Sequence, residues 1–332
     1  MGKEPLTVLS AITTNPDRVA QLEEGIFRIS TETGYPLSLV ATRDPDEIMA
    51  ALPDTRIFLT YRFSEQEWDA AADLDWIHFG AAGVEHSVFS GLLDSNIPIT
   101  LSKGIHGDVM AQYALWAIIS LATGLPLSSD AARKGEWTGR QIRPLHHSIT
   151  GRRLLVVGLG STGLPAAQLA ASMGMHVTGI RRTLKEDQLP EGISAIHALD
   201  ELDGLLPETD YLLLALPNTP LTRGIISGER LRALPADAGV INMARGTLID
   251  EKALLEVLDE GHLRGAVLDC FSSEPLPQSS SLWNHPGVIV TPHISGNFNE
   301  YTSRVINLFL ENLHRFLKCD PLLYQFDRSA GY

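Results

Sequence analysis

Only two cysteines, Cys270 and Cys319, occur among the 332 residues. They stand far apart without ligand spacing, which excludes a disulfide framework or a cysteine-held zinc site. Positive charge is also scarce, with 26 Lys and Arg against 40 Asp and Glu and a formal charge of −14. Recognition of a phosphate backbone needs clustered cations, so no nucleic-acid partner is expected, and a small anionic ligand would require a locally basic pocket. No stretch approaches the roughly 18 apolar residues of a membrane span, and the opening MGKEPLTVLS lacks the apolar run of a secretory leader. A soluble, cytoplasmic protein without a membrane partner is expected. His78, His86, His106, His146 and His147 show no ligand spacing beside carboxylates on a helical pattern, so no metal is expected either.

What remains is an ordinary globular composition, 44% hydrophobic and 20% charged. The length exceeds that at which single cores divide, which implies two domains. Through the first hundred or so residues, short apolar or β-branched runs at 7–11, 37–41, 56–60, 76–79 and 97–100 alternate with longer amphipathic stretches, a βαβ rhythm. An apolar run of helical period at 107–125 reads as a buried inter-domain helix. A second βα series begins at 152–157 and runs to a strand at 288–290, and a last helix is expected at about 299–318. The expected fold class is α/β, with two Rossmann-like doubly wound parallel-sheet domains.

RRLLVVGLGSTGLPAAQLAASMGMHVTGI carries Gly158, Gly160 and Gly163 in G-x-G-x-x-G spacing, after an apolar strand and at the opening of an Ala-rich helix. The first glycine permits a tight turn, the second admits a pyrophosphate to the backbone, and the third lets helix and strand pack closely. The backbone amides of Ser161 and Thr162 should then face the phosphates at the helix N-terminus. In such units the next strand commonly ends on Asp or Glu, whose carboxylate binds the ribose and repels a 2′-phosphate. Here Arg181, Arg182 and Thr183 stand at that point. Guanidinium forks suit a phosphate, so NADP(H) is favoured, with NAD possible.

Downstream, VINMARGTLIDEKAL, GAVLDCFSSEPLP and VIVTPHISG each place polar residues at the end of an apolar strand. These segments, in this order after the glycine motif, resemble the D-isomer-specific 2-hydroxyacid dehydrogenases along essentially the whole chain. The resemblance implies that Arg245 anchors the substrate, that Glu274 is a partner carboxylate and that His293 is the acid/base. The chemistry independently asks for these residue types. A keto acid needs a planar cation for its oxygens, and a ketone reduced by hydride needs a proton from a group that titrates near neutrality. Glu274 beside His293 would favour the imidazolium. Because Glu274, and not Gln, accompanies the histidine, proton transfer is expected instead of the formate reaction of some relatives.

The same resemblance implies further contacts. HFGAAGVEH points to Ala82 and Gly83 as backbone hosts of the substrate carboxylate. LPNTPLT, with Leu216, Pro217 and Thr222, lines the adenosine and pyrophosphate region. Met243, Ala244 and Ser295 complete the cofactor set, with Asp269 placed to receive the nicotinamide carboxamide. It also implies the domain roles: residues 1–102 plus 297–332 for substrate, residues 103–296 for the dinucleotide, with the active-site cleft between them and a homodimer as the assembly. Three positions depart from the family pattern. Gln112-Tyr113 replaces a frequent Glu-His, Leu101 replaces a frequent Asn, and Arg181 replaces the cofactor-reading Asp. The expected activity is hydride transfer between NADP(H) and C2 of a small 2-keto or 2-hydroxy acid. The alternative is a dinucleotide-sensing, corepressor-like interaction protein.

Overall fold

In the computed structural model, which describes residues 5–84, 87–182 and 189–328, the chain forms two compact units. One comprises Met1–Ile105 with Asn299–Tyr332, the other His106–Phe298. The chain thus leaves the first unit, builds the second, and returns.

In the first unit, β1 (Leu6–Ser10), β2 (Leu37–Ala41), β3 (Ile57–Thr60), β4 (Trp76–Phe79) and β5 (Ile99–Leu101) form a parallel sheet in the order β2-β1-β3-β4-β5. β3, β4 and β5 are buried along their whole length, as expected of parallel strands covered on both faces. The helix Pro16–Thr33 starts where the Asn15 side chain accepts from the amides of Asp17 and Arg18, and stops where Gly34 turns left-handed. The returning helix Tyr301–Leu317 supplies Phe309 and Phe316, on which the Trp76 indole stacks at centroid distances of 5.2 and 5.5 Å. Beside it, His78 is fully buried, its ring nitrogens 2.7 Å from Thr100 Oγ1 and 3.0 Å from Ser102 Oγ.

The second unit holds β6 (Arg153–Val157), β7 (His176–Ile180), β8 (Ile193–His197), β9 (Tyr211–Leu214), β10 (Gly239–Asn242), β11 (Gly265–Leu268) and β12 (Val288–Val290). All are parallel, in the order β12-β11-β10-β9-β6-β7-β8. Side chains alternate between two cores: Leu212, Leu214, Val240, Ala266 and Leu268 belong to one, and Tyr211, Leu213, Ile241 and Val267 to the other. The chain runs outward from β6 through β8, then returns to β9 on the other side of β6. This reversal opens a crevice at the strand carboxyl ends, where ligands of such sheets bind.

The apolar run at 107–125 is not one helix. It ends at Ala122, Gly124 adopts φ +67°, and a second helix, Leu125–Lys134, begins with Pro126 in its first turn. The two helices together have the length and composition of a span but bend by 69°, and among the described residues no single helix is long and apolar enough to cross a membrane. Helix Gly107–Ala122 packs within the second unit, its Met110, Ala114, Ala117 and Leu121 in the core shared with β6, β9 and β10, while Trp116 and Ile119 stay exposed.

Candidate active site

Every strand of the second unit from which a candidate residue follows runs in the same direction, so the loops after β6, β7, β9, β10, β11 and β12 all open on one edge. After β6, Gly158 takes φ +106°, and a Cβ there would lie 2.6 Å from the Ala215 carbonyl oxygen. A Cβ on Gly163 would lie 1.9 Å from the Gly158 carbonyl oxygen, so turn, strand and helix close on one another only without side chains. At Gly160 a Cβ would meet nothing within 4 Å. No side chain caps the N-terminus of the helix Gly163–Ser172. The Leu164 amide donates to the Gly160 carbonyl oxygen at 3.0 Å and the Ala166 amide to the Thr162 carbonyl oxygen at 3.4 Å, which folds the turn closely onto the helix while the space at Gly160 stays open. A pyrophosphate fits this cradle.

Arg181 follows β7 directly, its backbone N–H donating to the His197 carbonyl oxygen at 3.0 Å, and Arg182 beside it is exposed. Thr183 lies outside the described residues. The loop after β9 carries Leu216 buried and Pro217 exposed. Thr222 ties that loop together, its hydroxyl donating to the Pro217 carbonyl oxygen at 2.7 Å and accepting from the Thr219 amide at 2.8 Å. The side-chain oxygen of Asn218 in the same loop is buried and has no hydrogen-bond partner among the described residues. Asn218 sits inside the LPNTPLT motif, whose sequence alone points to Leu216, Pro217 and Thr222 and gives no sign of this buried oxygen.

After β10, the turn NMARG is shaped by Asn242, 1% exposed, whose side chain accepts from the Ala244 amide at 3.1 Å and donates to the Arg245 carbonyl oxygen at 2.9 Å. Met243 and Ala244 are buried; Arg245 is half-buried, its Nη1 donating to the Ala244 carbonyl oxygen at 2.8 Å. Gly246 is obligatory for a packing reason, because a Cβ there would fall 1.8 Å from the Phe271 carbonyl carbon. The loops that carry Arg245 and Glu274 are therefore pressed backbone to backbone.

Glu274 accepts from the Phe271 amide through Oε1 at 2.9 Å, and its Oε2 lies 2.8 Å from His293 Nδ1. The pair is half-exposed, at 50% for the His293 side chain and 36% for Glu274, so the ring is open to an incoming molecule. Glu251 braces the Glu274 loop by accepting from the Ser272 amide at 2.6 Å and hydroxyl at 2.8 Å. His293 itself adopts φ +54°, a left-handed conformation that a non-glycine residue holds only when its surroundings enforce it.

Asp269, 1% exposed, meets this same loop. Its Oδ1 accepts from the Thr291 hydroxyl at 2.6 Å and the Ile294 amide at 2.8 Å, and its Oδ2 accepts from the buried Ser295 amide at 2.8 Å. The structure thus gathers Arg245, Glu274, His293, Asp269 and Ser295 at one sheet edge. Ala82 and Gly83 belong to the first unit, in the loop after β4, and both are half-buried. Among the described residues no group of three metal-binding side chains is gathered.

A fully parallel, doubly wound sheet with a glycine cradle after its first strand and polar residues at its other strand ends defines a dinucleotide-binding α/β domain. Residues 115–295, more than half of the chain, match the family described as "D-isomer specific 2-hydroxyacid dehydrogenase, NAD binding domain", and the chain belongs to the D-isomer specific 2-hydroxyacid dehydrogenase family.

Among curated proteins, the chain is 38% identical over 176 residues to a glyoxylate/hydroxypyruvate reductase A of Salmonella newport, which covers 53% of this chain and 56% of that protein. The chain thus spans about half the length of the curated relatives it matches. Among solved structures it resembles a D-isomer specific 2-hydroxyacid dehydrogenase from Xanthobacter autotrophicus Py2 in complex with NADPH and MES, with TM-score 0.79, 29% identity, and 98% of this chain and 99% of that one covered. It also resembles an NADPH-dependent glyoxylate/hydroxypyruvate reductase from Sinorhizobium meliloti in complex with NADP and sulfate, with TM-score 0.80, 25% identity, and coverage of 99% and 100%.

Proposed function

We propose that this chain reduces small 2-keto acids to 2-hydroxy acids of the D series with NADPH, and that glyoxylate and hydroxypyruvate are within its range. The observation that carries this reading is the half-exposed His293–Glu274 pair, 2.8 Å apart, on the sheet edge that also bears Arg245 and the glycine cradle. The names of the relatives support it from a separate direction.

In this reading the cofactor lies over Gly158, Gly160, Ser161, Thr162 and Gly163, with Leu216, Pro217, Thr222, Met243, Ala244 and Ser295 around it and Asp269 toward its carboxamide. Arg181 and Arg182, with Thr183, receive the 2′-phosphate. NADPH, when bound, supplies the hydride that the keto carbon accepts. Arg245 offers its guanidinium fork to the carboxylate and carbonyl oxygens, holding the carbonyl polarised. His293 Nδ1 is committed to Glu274, which leaves Nε2 to give its proton to the carbonyl oxygen as that oxygen gains charge. Glu274 stabilises the cation and fixes the ring's orientation, and in the reverse direction Nε2 takes the proton back. Ala82 and Gly83 belong to the proposal as hosts of the substrate carboxylate, on their loop's resemblance alone.

The same reading includes a homodimer in the cytoplasm, without nucleic acid or membrane as partner. Trp116, Ile119, Leu125, Leu127 and Trp137 are exposed on consecutive helices and loops of the second unit, the kind of apolar surface that subunit contacts cover. No observation favours a dinucleotide-sensing, corepressor-like protein. The test is NADPH oxidation with glyoxylate, hydroxypyruvate, pyruvate and branched 2-keto acids. Turnover with at least one is expected, and no turnover with any of them would overturn the proposal.

A further inference from the structure

His293 needs something to hold it. Its φ of +54° places it in the left-handed region, and its side chain is half-exposed, so packing around the imidazole does not enforce the conformation. The restraint lies on either side of it in the chain. Thr291, two residues before, donates its hydroxyl to Asp269 Oδ1 at 2.6 Å, while Ile294 and Ser295, just after, donate their amides to the same carboxylate, each at 2.8 Å. One buried carboxylate therefore clasps both sides of the histidine.

The clasp continues into the helix Gly107–Ala122. Tyr113 Oη lies 2.6 Å from Thr291 Oγ1. The threonine's only hydroxyl proton goes to Asp269, so the phenol must be the donor and Thr291 the acceptor. Burial pushes the Tyr113 pKa up, which keeps that proton in place. Met110, one turn earlier on the helix, has its sulfur 3.3 Å from where a Cβ on Gly296 would stand. The helix thus touches the loop at both ends.

We infer that Tyr113 is a positioning residue for His293, acting through the chain Tyr113 Oη → Thr291 Oγ1 → Asp269 and the Asp269 clasp on the Ile294 and Ser295 amides. Asp269 then has a role within the protein distinct from any contact with cofactor, which is to hold the loop that presents the imidazole. Tyr113 never touches the substrate in this account. Its hydroxyl polarises and orients the threonine, whose bond to the carboxylate sets where the loop begins. The inference rests on the proposed acid/base role of His293 for its kinetic consequence, but its structural content does not.

Both parts are tested in the full-length protein with Tyr113→Phe, Thr291→Val, their double variant, and Thr291→Ser, which keeps the hydroxyl. NADPH oxidation with glyoxylate is measured beside backbone amide hydrogen exchange of the 291–297 segment. Removing either hydroxyl should lower kcat about tenfold, the order of one buried hydrogen bond in a network, while KM for NADPH stays within about twofold. The double variant should be no slower than about the slower single, because both changes break one chain. Thr291→Ser should recover most of the rate. Exchange across 291–297 should quicken about tenfold in the variants that lose a hydroxyl, with β6 and β10 unchanged.

Wild-type kcat and wild-type exchange in Tyr113→Phe would overturn the inference. So would fully additive losses, or exchange rising equally throughout the second unit, which would mark a general contribution to stability. If the wild-type protein reduces no keto acid, the proposed function fails, and the exchange comparison still decides the inference.

Discussion

Acidification should weaken the first unit through one residue, His78. The imidazole is fully buried between Trp76 and Phe309, hydrogen-bonded to Thr100 and Ser102. Burial disfavours its cation and pulls its pKa down from 6.5 to about 3. The folded value lies below the unfolded one, so the unfolded chain binds the extra proton. The stability linked to this group is fully present above about pH 6.5 and is lost progressively as pH falls toward 3. At about pH 5 the unfolded histidine is favoured by about 1.5 pH units, which is about 2 kcal/mol, a substantial part of the margin of an ordinary domain.

The assay is urea unfolding followed by tryptophan fluorescence, to which the first unit contributes the fully buried Trp76 and the half-buried Trp68, whereas Trp116, Trp137 and Trp283 of the second unit are 40%, 99% and 45% exposed. His78→Asn is the control, since its amide can reach hydroxyl partners and does not titrate. Between about pH 8 and 5 the wild type should lose about 2 kcal/mol more than His78→Asn. Parallel losses, agreeing to within about 0.5 kcal/mol, would refute the assignment of this pH dependence to a buried neutral histidine.

Two further changes bear on the cofactor. Arg181→Asp should move the NADPH/NADH ratio of kcat/KM toward NADH by about 10-fold to 100-fold, because a phosphate loses a guanidinium and a ribose gains a carboxylate; an unchanged ratio would count against the phosphate role of Arg181. Gly163→Ala places a Cβ 1.9 Å from the Gly158 carbonyl oxygen, a backbone contact that cannot yield by a rotamer change. Dinucleotide binding, followed by quenching of protein fluorescence, should weaken at least about tenfold, with a lower melting temperature.

Much of this arrangement can be read from local sequence because it depends on local chemistry. Apolar runs such as YLLL and GAVL mark strands buried on both faces, and glycine spacing marks a turn whose side chains would collide. The motifs NMARG, SSEPLP and TPHISG lie at strand ends, where a parallel sheet collects its ligand-facing residues. Other features have no local signal. The break after Ala122 interrupts an unbroken apolar period, and only the Gly124-Leu125-Pro126 sequence, a helix stop followed by a proline suited to a helix start, hints at it. The partnership of Tyr113 with Thr291 spans 178 residues, and that of Glu251 with Ser272 spans 21. Hydrogen bonds between distant loops leave no periodicity, so the braces around Arg245, Glu274 and His293 emerge only when the chain is folded. The left-handed backbone of His293 is equally invisible in TPHISG, since its cause is a carboxylate on another strand end.

The most direct test of the proposed chemistry compares the wild type with His293→Gln in binding and in turnover. Glutamine can still donate a hydrogen bond to Glu274 through its amide but cannot supply an acidic proton. The account predicts that His293→Gln binds NADPH as the wild type does and reduces glyoxylate or hydroxypyruvate about 10²-fold to 10⁴-fold more slowly. Turnover within a few-fold of the wild type would contradict it, because the proton would then come from another group and the His293–Glu274 pair would not be the acid of the reaction.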